Sequence, residues 1–136
     1  MKYLFLYGLV IWIAATITLR FAGQHILRPG DTAGTLLLFA ISFPAMAWVA
    51  RLLCAAFQIR RAEWPTGAVT LALPTLLLDP FFSAFFPVVF PNMSPQAAGV
   101  FGGWMLWCCA AALIGAMVGR SRDESLGVET PRPVDR

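Results

Sequence analysis

Four apolar stretches, each long enough to cross a bilayer, take up most of this chain of 136 residues and leave only short connections and one polar tail. A spanning helix needs about 20 residues, so four of them use about 80 and leave no room for a second folded domain. Hydrophobic residues make up 59% of the chain and charged residues 12%, about half the charged share of an ordinary soluble domain. A water-soluble core of this size could not hide so much apolar surface, so the sequence predicts an all-α, integral membrane four-helix bundle. The spans fall at about 3–19, 33–50, 65–86 and 97–118, within a single domain over residues 1–119.

The first apolar run, from Tyr3 to Leu19, follows Lys2 and ends at Arg20. It is longer than the core of a secretory signal, and no pair of small residues marks a cleavage site before Arg20, so it reads as an uncleaved helix. Pro29, Gly30, Asp31 and Thr32 form a turn in which Asp31 or Thr32 caps the second span, and Pro44 is expected to kink that span. Trp64 and Pro65 open the third, with the indole placed at the interface. The third stretch holds Pro74, Asp79-Pro80 and Pro87, a pattern that fits either one kinked helix ending near Phe86 or a helix broken near Asp79. The break near Asp79 is the favoured expectation. Ser94 and Pro95 then read as the cap and first position of the fourth span. Residues 120–136 are charged and contain proline without apolar periodicity, which predicts a flexible cytoplasmic tail.

Orientation follows from the basic residues. Lys2, Arg51, Arg60, Arg61, Arg120, Arg122, Arg132 and Arg136 fall on one side of the alternating spans, and Arg20 and Arg28 alone on the other. The positive-inside rule puts both termini in the cytoplasm. So uneven a charge distribution argues against insertion in both orientations. The net charge of +3 forms no basic stripe, so nucleic acid is not an expected partner.

The run Phe90-Pro91-Asn92-Met93-Ser94-Pro95, followed by Ala97-Ala98, Phe101-Gly102, Trp104 and Leu106-Trp107, resembles a signature of a bacterial family of small four-span membrane proteins of unknown function. The opening Met1-Lys2-Tyr3-Leu4, and Leu78-Asp79 before an aromatic-rich segment, are similar to the same family. The resemblance implies the four spans and carries no activity with it.

Among the polar residues, Asp79 carries the most weight, because a carboxylate within hydrocarbon is costly and marks a pathway or a pairing. Counted from Pro65 it lies about 21 Å along the third helix, in the outer third of the bilayer, where an ion pair with Arg20 is expected. Gln24, His25 and Arg28 form an expected polar cluster at the outer face; one histidine without converging ligands predicts no metal, and no cofactor motif is present. Cys54, Cys108 and Cys109 read as packing residues. Gly99, Gly103, Ala111, Gly115 and Gly119 make a stripe of small residues on the fourth span, a face suited to close helix packing within the bundle, with other membrane subunits or with a second copy. Trp104 and Trp107 sit nearer the outer interface.

Three functions fit these residues. The leading one is a structural or accessory protein whose partners are the lipid bilayer and other membrane subunits. The second is a small proton- or cation-coupled transporter using Asp79. The third is a lipid-modifying enzyme drawing on Asp79, Arg20 and His25.

Overall fold

A computed structural model describes the backbone of residues 2–125 and the side chains of residues 2–119. The described chain is helical throughout, without strands. It contains α1 (Lys2–Ile26), α2 (Thr32–Ala56), a single 3-10 turn (Arg61–Glu63), α3 (Trp64–Ala84), a short α4 (Phe86–Val89) and α5 (Ala97–Ser125). Four of these helices are long and apolar enough to cross a membrane, which makes this a multi-pass membrane protein.

The connections follow their local chemistry. Gly30 takes a φ of +88°, which its missing Cβ permits, and turns the chain into α2. Asp31 caps α2 as expected, its Oδ1 accepting the Gly34 amide at 2.9 Å. Trp64 and Pro65 begin α3. Two expectations need correction. The third span is helical through both Asp79 and Pro80, and its interruption falls at Phe85 instead. There Pro87, in the first turn of α4, has no N–H to give the Ser83 carbonyl four residues back. Asp79 therefore caps nothing, and its carboxylate is free for a partner on another helix. The fourth helix begins at Ala97 and not at Pro95, because the Ser94 hydroxyl bonds the Gln96 side chain while the Ser94 carbonyl accepts the Ala97 amide. At its far end α5 runs on to Ser125, six residues into the segment expected to be tail; residues 126–136 lie outside the described residues.

The first two spans, adjacent in sequence, are not neighbours in the bundle. α1 packs on α3, α3 on α5, and α5 on α2, while α1 and α2 make at most a marginal contact. Absent side chains permit the close seams. A Cβ on Gly8 would stand 2.1 Å from the Leu71 carbonyl oxygen, and one on Gly115 would stand 2.7 Å from the Ala47 backbone. The end of the bundle at the α1–α2 turn is plugged by Phe86, Phe90 and Phe101, whose ring centroids lie 5.1–5.6 Å apart, with Leu19, Leu27 and Met93 packed around them. The opposite end closes on Cys54, Trp64, Ala68 and Ala116. Trp64 is thus buried within the bundle and not set in a headgroup belt; its Nε1 donates to the Ile59 carbonyl at 3.0 Å.

Candidate functional site

Between the two plugs sits Asp79, a charged residue only 8% exposed. Its Oδ1 accepts the indole N–H of Trp12 at 2.7 Å across the α1–α3 interface, and Trp12 is itself 9% exposed. The edge of one ring meets the face of the other between Trp12 and Phe82, at 4.6 Å and 85°, which fixes the indole in this pose. Ten residues separate Trp12 from the start of α1, about 15 Å of helix, so Asp79 lies nearer the middle of the bundle than a count along α3 suggests.

This depth explains why the expected Asp79–Arg20 ion pair does not form. Arg20 is eight residues beyond Trp12 on α1, about 12 Å further along the helix, and its Nη1 donates to the Val89 carbonyl at 2.5 Å. There it satisfies an oxygen that α4 leaves open at its end. The arginine closes the phenylalanine plug, and the carboxylate faces the interior of the bundle.

Two hollows border Asp79. The larger, of about 150 Å³, lies between α1, α3 and α5 with Met46 of α2 at its margin, and its walls include Trp12, Thr16, Thr75, Phe101, Trp104 and Cys108. The smaller, of about 120 Å³, lies between α3 and α5 on another face, lined by Leu76, Pro80, Ser83, Gly102 and Leu106. Asp79, Met105 and Cys109 are common to both and stand between them. A carboxylate can accept about four hydrogen bonds, and the protein supplies Asp79 with one. Trp104 adds a second unmet need: its buried Nε1–H has no acceptor, although the residue lines the larger hollow. Asp79 thus keeps spare acceptor capacity at the edge of an apolar hollow.

The chain matches a family of unknown function, DUF5367, over residues 26–123. It belongs to the DUF5367 family. No curated protein and no solved structure matches it. The match takes in α2, α3 and most of α5, and so Asp79 and both its hollows except for the α1 wall, to which Trp12 belongs.

The remaining sequence-derived residues of this DUF5367 protein fall elsewhere. Gln24 accepts a hydrogen bond from the Asn92 side chain, tying α1 to the loop before α5. His25 and Arg28 are exposed and border, with Asp31, a shallow groove at the α1–α2 turn. Asp79, Arg20 and His25 thus serve the cavity, the Val89 carbonyl and that groove, and are not gathered at one centre. Among the described residues no three His, Cys, Asp or Glu side chains cluster as metal ligands. Cys108 and Cys109 line the cavity as free thiols.

The stripe on α5 divides in two. Ala111 is fully buried, Gly115 seats against Ala47, and Gly119 lies under the Trp64 ring. Arg51 Nε donates to the Gly115 carbonyl at 2.7 Å across the same seam. Toward the N-terminal end of α5, a Cβ on Gly99 would meet nothing within 4 Å, and one on Gly103 only the edge of Phe39 at 3.9 Å. Trp107 donates to the Phe39 carbonyl at 2.9 Å and packs on Phe39 and Phe43, so its indole binds α2.

Proposed function

We propose that this protein is a small proton- or cation-coupled carrier, in a bacterial inner membrane with both termini cytoplasmic, and that Asp79 is its working group. The observation that supports this best is a carboxyl group near mid-bundle, bordered by two hollows on different faces and held by one protein hydrogen bond. A carboxyl in hydrocarbon can be carried as the neutral acid or as a carboxylate paired with a cation. Proton and cation then compete for one group, which is the minimum chemistry of coupled exchange. Trp12 holds the carboxyl in place in either state, and Met105 and Cys109 complete the septum between the hollows. The orientation rests on the eight basic residues of one side against Arg20 and Arg28 on the other.

The test is flux. Purified protein in liposomes carrying an internal pH dye should pass protons against a cation gradient, and Asp79→Asn should abolish this while eluting as the same folded particle. Equal flux in the two proteins would remove Asp79 from the mechanism.

A second reading, an accessory role in a larger assembly, draws on the outer half of α5. Gly99 and Gly103 are exposed there without a tight neighbour, leaving a small-residue face for another membrane subunit or a second copy. Recovery of the native particle in mild detergent, followed by mass measurement, tests it: a reproducible larger assembly supports the role and a lone chain removes it.

A further inference from the structure

Resting on the carrier reading above, we infer that the ligand of the Asp79 cavity is a small hydrophobic organic cation, an alkylated or protonated amine on an aryl or alkyl group, which enters from the lipid between α1 and α2. The lining chemistry selects this class. Among the described residues Asp79 is the one charged residue on the walls, and no Lys, Arg or His lines either hollow. An anion would face that carboxylate without a counter-charge, in a medium where an unpaired charge is costly. A hard metal cation would need six or more oxygens, and beside the carboxyl the larger hollow offers side-chain oxygen only from Thr16 and Thr75.

What the walls do offer is aromatic. Trp12, Phe101 and Trp104 present rings to the same space that holds the carboxylate, and ring faces attract a weakly hydrated cation such as a quaternary ammonium. Methionine sulfurs from Met46 and Met105 add polarizable, adaptable contacts. Size agrees with the class: a hollow of about 150 Å³ takes one benzene-sized group, the scale of a trimethylammonium head, and leaves the aryl or alkyl group at the mouth toward the lipid.

The route follows from helix order. α1 is held by α3 and α2 by α5, so little contact closes the space between α1 and α2. The cavity reaches that space at Ala15 and Thr16 on one side and Met46 on the other, all half-buried. Apart from the Thr16 hydroxyl these side chains are apolar, so an amphiphilic cation already dissolved in the lipid needs no aqueous pore to reach Asp79.

Phenyltrimethylammonium and its neutral isostere tert-butylbenzene differ in one central atom and in charge, and make a direct test with the full chain in detergent micelles. Bound ligand is measured by equilibrium dialysis against protein-free micelles, with quenching of tryptophan fluorescence as a second readout. The expected result is saturable binding of the cation, about tenfold or more tighter than the isostere, and loss of that preference in Asp79→Asn. Equal or tighter binding of the isostere by the unaltered protein overturns the assignment, whether or not Asp79→Asn folds. Ala15→Leu keeps the acid but obstructs the mouth, and should weaken cation binding; unchanged binding overturns the route. Tight, Asp79-dependent cation binding without proton-linked flux would overturn the carrier reading and leave the ligand class standing. Asp79-dependent flux of an inorganic cation, with no preference for phenyltrimethylammonium, would do the reverse.

Discussion

The indole N–H of Trp12 and the carboxylate of Asp79 join α1 to α3 through a 2.7 Å hydrogen bond between two residues that are each at least nine-tenths buried. Trp12→Phe keeps most of the ring and removes the donor, leaving a buried carboxyl without a protein partner. The expected cost is about 1–3 kcal/mol in reversible unfolding in detergent. Asp79→Asn should shrink the effect of Trp12→Phe, since an amide oxygen accepts more weakly than a carboxylate, and a double-mutant cycle measures that coupling. Additive effects would mean the bond contributes nothing.

Helix approach gives a second prediction, because two glycine positions are filled by neighbouring backbone and one is open. Gly115→Val and Gly8→Val should each destabilise by about 2 kcal/mol or more, since Ala47 and the Leu71 carbonyl must move as whole segments. Gly99→Ala should be neutral or slightly stabilising, its Cβ meeting nothing within 4 Å. Thermal unfolding followed by size-exclusion elution distinguishes the three, and equal losses at all of them would contradict the assigned seams.

Much of the architecture was legible from apolar run lengths, because hydrocarbon leaves a spanning chain little alternative to the helix. The order of the helices was not. Gly8 and Gly23, which seat Leu71 and Met93, lie in a run that reads as uniformly apolar, whereas the regular stripe on α5 announces itself although half of it is open. Asp79 stood out as a charge among leucines, but its partner did not. Ion-pair reasoning points to the nearest arginine, while the structure supplies a neutral donor two turns deeper. The available signal was Trp12 itself, an indole in mid-span and far from the interface where tryptophan usually sits. The break at Phe85 was obscured by Pro80, which α3 accommodates without interruption.

Orientation can be checked by cysteine accessibility in a background with Cys54, Cys108 and Cys109 replaced by alanine. A cysteine at Asn92, in the exposed loop before α5, should react with a membrane-impermeant maleimide in intact cells, and one at Gln58 only after permeabilisation. The opposite pattern would invert the topology.

Filling the cavity should separate stability from activity. Ala15→Leu adds apolar volume at the margin of the larger hollow, and is expected to leave stability unchanged or raise it by about 0.5–2 kcal/mol while proton-linked flux falls. Thermal unfolding and liposome flux on the same preparation give both signs. Loss of stability and flux together would make the hollow a packing defect and not a working site.

The central claim is that Asp79 is a carboxyl group reached from hydrocarbon and able to carry a proton, and a lipid-soluble carbodiimide tests it most directly, because that reagent adds to the neutral acid form of carboxyls within apolar surroundings. Intact protein in membranes, treated with dicyclohexylcarbodiimide and read by peptide mass, should carry the N-acylurea adduct at Asp79, and phenyltrimethylammonium should slow its formation. An unmodified Asp79, or modification at the same rate with the cation present, would contradict the account.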